Sequence, residues 1–197
     1  MDLKEALRKI WHFIWYEDSL LSWIVNVILA FVIIKFLVYP GLGLVLGTKL
    51  PIVAVVSSSM EHNGNFDSWW DGQKSYYENI GVSKEQFKEF QLSNGFNKGD
   101  IIFLVGKKPD KIKLGDVIVF RSGRPDPIIH RVVELKQENG NYIFHTKGDH
   151  NTASIQTSSF DETKITQDML IGRALFKVPL LGWIKIGFVS LMNLIGA

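Results

Sequence analysis

The sequence predicts a mainly β protein. It has an antiparallel, partly barrel-like β-domain behind an N-terminal transmembrane helix, with a helical aromatic-rich insertion and a C-terminal hydrophobic segment. Three observations carry this. Residues 20–39 are apolar except for Ser22, Asn26 and Lys35, and about twenty such residues rising roughly 1.5 Å each cover a hydrocarbon core of about 30 Å. From Asp100 onward, short β-branched runs alternate with Gly-Asp and Asn-Gly turns and no long helix intervenes, the pattern of an antiparallel sheet. Between these regions, residues 61–98 break the strand pattern with Trp69-Trp70, Tyr76-Tyr77 and several Asn and Gly. The expected organisation is an interfacial helix over 1–18, a transmembrane helix over 19–39, a β-domain over 40–178 with its insertion at 61–98, and a hydrophobic segment over 179–197.

In chain order, Leu3, Leu7, Ile10, Trp11, Ile14 and Trp15 recur at helical spacing, with Lys4, Arg8 and Lys9 at the edge of that stripe or off it. This predicts an amphipathic helix on a membrane surface with Trp at headgroup depth; packing on the soluble domain is the alternative. In the apolar run that follows, Lys35 is near enough to the end to snorkel, and Tyr39-Pro40-Gly41 is expected to break the helix. A cleavable targeting signal fits less well, because the run is long, the region before it is extended, and no small-x-small site follows. Lys4, Arg8 and Lys9 precede the span and Lys49 follows it, which favours a cytoplasmic N-terminus with the remainder outside.

Val53-Ala54-Val55-Val56 reads as a buried strand that stops in Ser57-Ser58-Ser59. Within the insertion, Ser83 with Gln86 opens a helix of about 84–91, with Phe87 and Phe90 on one side. Its aromatics are expected to pack locally rather than dock to a membrane or partner. Strands follow over 100–105, 116–120, 128–135, 141–147 and 171–178, with Glu138-Asn139-Gly140-Asn141 as a hairpin turn. Residues 180–197 are apolar apart from Lys185, Ser190 and Asn193, either just long enough to span or interfacial.

Composition excludes several classes. A net charge of +2 without a dense basic stripe does not suit a nucleic-acid binder. The absence of Cys removes disulfides, thiolate metal sites and Cys nucleophiles. A serine hydroxyl needs a base within hydrogen-bond reach, and the candidates are His12, His62, His130, His145 and His150. On residues alone the choice stays open, since a strand His, a Ser run and an Asp after Gly are each common as plain structure. A metal site from His145, Asp149 and His150 is a weaker idea, because ligands crowded into one turn make poor geometry.

Four segments taken together resemble the type I signal peptidases. They are Ser57-Ser58-Ser59-Met60-Glu61, then Gly99-Asp100-Ile101-Ile102-Phe103, then Gly115-Asp116-Val117 leading to Ile129-His130-Arg131-Val132, then Thr146-Lys147-Gly148-Asp149-His150-Asn151. They follow the family's order over roughly residues 20–178, and His130, where the bacterial branch has Lys, resembles the archaeal and endoplasmic-reticulum branch. The resemblance implies Ser59 as nucleophile, His130 as base and then acid, and Asp149 as the residue orienting the imidazole. It also implies an oxyanion hole from the Ser59 N–H and the Ser57 hydroxyl, and neither metal nor cofactor. The fit is imperfect. Ser58 replaces a Gly, no Pro follows Met60, and the link at 61–98 is long. Many His-type members carry a second Asp soon after the fourth segment, where this chain has Ile155-Gln156, so Asp161 is an alternative acid.

The function implied is a membrane-bound serine endopeptidase that removes signal peptides from exported preproteins at the outer face of the cell membrane. Its partners would be preprotein signal peptides, lipid and export machinery or accessory subunits, with no nucleic acid. The substrate would lie extended along residues 52–56. Two alternatives stay open: a non-catalytic membrane-anchored interaction module of the same fold, and a peptidase dedicated to a narrow set of surface preproteins.

Overall fold

The computed structural model describes residues 2–158 and 160–194 and divides into two units, 1–45 and 46–197. In the first, α1 (Leu3–Tyr16) is followed by α2 (Leu20–Ile33). The last carbonyls of a helix lack intrahelical partners. Here the polar residues of the apolar run serve them: Ser22 Oγ donates to Phe13 O at 2.7 Å and Asn26 Nδ2 to Ile14 O at 2.9 Å. Leu3, Leu7, Ile10, Trp11 and Trp15 remain exposed.

The expected break at Tyr39-Pro40-Gly41 does not occur. A π-helical stretch, Ile34–Val38, leads into α3 (Tyr39–Leu46), giving a helical run Leu20–Leu46 of 27 residues that holds an 18-residue stretch of mean hydropathy 2.5. Pro40 cannot donate, and its ring would clash with the carbonyl four residues back. The wider turn before it, in which the Tyr39 N–H reaches Ile34 O, accommodates the ring. Among the described residues this is the one helix long and apolar enough to cross a membrane.

The second unit is a curled antiparallel sheet of seven strands in the order β1-β2-β7-β3-β4-β5-β6. The strands are β1 (Ile52–Ala54), β2 (Ile101–Val105), β3 (Val117–Phe120), β4 (Ile128–Glu138), β5 (Asn141–Lys147), β6 (Ile165–Thr166) and β7 (Leu170–Val178). β3 reads as an unbroken apolar run because both its faces are covered. Val117 and Val119 join Met60, Phe96 and Leu104 on one side, while Ile118 and Phe120 join Val132, Phe144 and Phe160 on the other.

The insertion forms α4 (Phe66–Asn79), capped by Asn65, and α5 (Lys84–Lys88), capped by Ser83. Its Trp69, Trp70, Tyr77 and Phe87 are buried together against Val133 of β4, the local packing expected of them. The chain continues as α6 (Trp183–Leu194), and the last three residues of the expected hydrophobic segment lie outside the described ones.

Candidate active site

β1 is shorter than its apolar run because the chain turns away after Val55, whose backbone is held by Asp100 O and the Gly99 N–H, each at 2.9 Å. Met60 then plunges into the core at 1% exposure, which leaves its neighbour Ser59 half-exposed at the surface of the turn. Ser59 Oγ is 2.9 Å from His130 Nε2 and 3.2 Å from Ser57 Oγ. Ser58 is exposed and holds Glu61 N only through its backbone carbonyl.

His130 and Arg131 are consecutive on β4, so their side chains leave opposite faces. His130 goes to Ser59. Its other ring nitrogen, Nδ1, meets Glu162 Oε1. The Glu162 carboxylate is fully buried and held three ways: Oε1 also accepts from Thr146 Oγ1 at 3.0 Å, and Oε2 accepts from the Ile155 N–H at 2.7 Å. A carboxylate fixed on Nδ1 keeps the proton there and leaves Nε2 to accept from the serine hydroxyl.

The two expected acids are engaged elsewhere. Asp149 turns to the far face of β4, where Arg131 Nε and Nη2 donate to its two oxygens at 2.8 and 2.6 Å. His62 Nε2 lies 2.9 Å and Tyr77 Oη 3.4 Å away, and Trp69 Nε1 donates to the Asp149 carbonyl at 3.0 Å. Burial opposes ionisation of Asp149, but Arg131 and His62 outweigh it, and the carboxyl falls well below the usual carboxylate range. Burial likewise holds His62 below the ordinary imidazole value, and its ring stacks on Trp69 with centroids 3.7 Å apart. Asp161 is turned to its own loop, where Thr163 and Lys164 hold its carboxyl at about 2. His145 pairs with Glu134, and among the described residues the His145, Asp149 and His150 side chains form no metal-holding group.

Sequence reasoning missed Glu162, and it gave Arg131 and His62 no part beside Asp149. The Ser/Thr-rich loop after Ile155 was the available signal for Glu162, since the first acids beyond it are Asp161 and Glu162.

The two faces join through one short backbone segment. The His150 N–H donates to Ser59 O at 2.9 Å, and Asp149 N lies 3.4 Å from Met60 Sδ. Gly148 sits between: a Cβ there would be 2.7 Å from Ser59 O and 2.9 Å from His130 Nε2, so only glycine lets the strands approach. Beside Ser59 and His130 opens a cavity of about 430 Å³, walled by residues 54–57 on one side and 124–130 on the other, with Asn151 and Ile155. β1 forms the sheet's end, paired on one side by β2.

No protein-family profile matches the chain. The signal peptidase complex catalytic subunit SEC11C of human, and that of dog, is 28% identical over 154 residues, covering 76% of this chain and 63% of the relative. The signal peptidase complex catalytic subunit SEC11 of Eremothecium gossypii is 30% identical over 155 residues, covering 77% of this chain and 73% of the relative. The chain belongs to the SEC11 family. It spans about two thirds, 63%, of the length of the mammalian SEC11C proteins. Where the resemblance implies an Asp, this chain presents Glu162 to His130, held by the backbone pairing of Glu162 with Ile155.

Proposed function

We propose that the chain is a membrane-anchored serine endopeptidase that removes N-terminal signal peptides from exported preproteins. The observation that carries this is the Ser59 Oγ–His130 Nε2 contact of 2.9 Å, completed by Glu162 on Nδ1, at the mouth of a cavity flanked by an edge strand. An extended substrate adds to β1 by main-chain pairing. Ser59 Oγ attacks the scissile carbonyl carbon and passes its proton to His130 Nε2. The tetrahedral oxyanion takes hydrogen bonds from the Ser59 N–H and the Ser57 hydroxyl. The C–N bond breaks and the imidazolium protonates the leaving amine; His130 then takes a proton from a water whose oxygen attacks the acyl carbon, and returns it to Ser59 Oγ as the C–Oγ bond breaks. Glu162 keeps the imidazole in its working tautomer and stabilises the imidazolium, while Asp149 braces the backbone behind Ser59.

The helix Leu20–Leu46 anchors the enzyme and α1 lies on the membrane surface. With Lys4, Arg8 and Lys9 ahead of the span, the N-terminus is cytoplasmic and the catalytic unit extracytoplasmic. Only twelve residues separate Leu46 from Ser59, so the nucleophile meets bonds delivered close to the bilayer. The similar proteins are named as subunits of a complex, which supports accessory subunits here too.

Cleavage of a purified preprotein by the detergent-solubilised chain tests the proposal. Wild type and Ser58→Ala should release the signal peptide after a small-x-small site, and His130→Ala should not. Processing restricted to one class of surface preprotein would favour the dedicated-peptidase reading. Wild type inert both alone and with membrane extract would overturn the proposal in favour of a non-catalytic module.

A further inference from the structure

The hairpin that delivers Glu162 also forms a wall of the cavity. Ile155 and Glu162 face each other across it: the Glu162 N–H donates to Ile155 O at 2.8 Å, and the Ile155 N–H donates to Glu162 Oε2 at 2.7 Å. Gln156 bridges Asp161, and Thr157 N donates to Phe160 O at 2.8 Å to close the turn. Ile155 lines the cavity beside Ser59 and His130 and packs against the core that includes Phe144 and Phe160. Phe160 in turn lies under the guanidinium of Arg124, another cavity residue, at 5.5 Å. The wall is therefore pinned from the core, from the rim and by the buried carboxylate that serves His130.

We propose that Ile155 is a specificity-determining residue: its side chain limits the size of the substrate side chain seated beside the scissile bond. The inference rests on the peptidase reading above. A wall that yielded to a large side chain would have to move the Ile155 backbone, and with it the N–H that fixes Glu162. A bulky substrate residue thus meets both a steric limit and a disturbed relay. One methylene in an apolar pocket changes discrimination by about 10–200-fold, so shortening Ile155 should alter preference measurably. The backbone bonds to Glu162 do not depend on the side chain, so preference and general catalytic power are separable by substitution.

The test uses the full chain in detergent and a preprotein series with Ala, Val or Leu at the first or third residue before the cut. Ile155→Ala should raise the kcat/KM ratio of Leu to Ala substrates at least tenfold at one of these positions. Ile155→Phe should lower the Val-to-Ala ratio at the same position, and Ile155→Val serves if the alanine variant does not fold. Unchanged ratios in the folded variants, including a uniform loss across the series, would overturn the inference. Failure of wild type on every substrate would instead remove the peptidase reading itself, and this inference with it.

Discussion

Glu162 and Asp149 are both fully buried carboxylates beside β4, and each is claimed by a different one of two consecutive residues: His130 meets Glu162, and Arg131 meets Asp149. Strand alternation makes this split unavoidable, because adjacent side chains cannot serve one face. The proposed relay and its brace thus lie on opposite faces of β4 and meet again at the Gly148–His150 backbone, so each can be perturbed alone.

Asp149→Asn should act first on stability. Loss of one member of a buried pair leaves Arg131 uncompensated and costs about 3–5 kcal/mol. Thermal unfolding should show a large drop in Tm, and protein that remains folded should keep a substantial part of its kcat. A normal Tm with kcat at background would assign Asp149 to catalysis instead.

Ser57→Ala removes a hydroxyl 3.2 Å from Ser59 Oγ, the one proposed above to donate to the oxyanion. The expected loss is about 2.7–4 kcal/mol of transition-state stabilisation, roughly 10²–10³ in kcat, with KM little changed. Steady-state kinetics on a preprotein distinguishes this from a binding defect, which would raise KM.

Gly148→Ala should abolish processing, because the added Cβ would fall 2.7 Å from Ser59 O and 2.9 Å from His130 Nε2. Gly72→Ala, whose Cβ meets open space at an ordinary φ, is the control for a glycine in this unit.

Lys147 gives a pH signature. It is buried with no carboxylate paired to it among the described residues, its Nζ donating to Gln73 Oε1 at 3.0 Å and Gly148 O at 3.1 Å and lying over the Tyr76 and Tyr77 rings. Burial holds its pKa down at about 8 against an ordinary 10.5. Between those values the unfolded chain binds more protons, so stability rises with pH from about 8 to 10.5. Denaturant unfolding at pH 8 and pH 10 should show a wild-type gain of order 1–3 kcal/mol that Lys147→Met lacks. Parallel curves for the two proteins would contradict this.

Much of the fold was readable because its signals are local. Ser83 with Gln86 marked the start of α5, and the apolar runs at 101–105, 117–120 and 141–147 marked strands. The order in which β7 inserts between β2 and β3 depends on long-range pairing and leaves no local trace. Pro40 misled because its cost is removed by a π-helical stretch that lies upstream of it. In the site, Ser59 and His130 stayed open on residues alone and were singled out by the resemblance of their segments, in which Met60 fixes the serine register. Glu162 was not, because its position depends on the pairing of 155–157 with 160–162, and in sequence it is indistinguishable from its neighbour Asp161.

The most direct test of the Ser59–His130–Glu162 relay is kcat for Glu162→Gln beside Asp161→Asn on one preprotein, with Tm recorded for each. An amide that donates to Nδ1 holds the wrong tautomer, a change that costs about 10⁴ in kcat when made in a triad. The account predicts a loss of that order for Glu162→Gln and near wild-type turnover for Asp161→Asn. Near wild-type turnover by folded Glu162→Gln would contradict it.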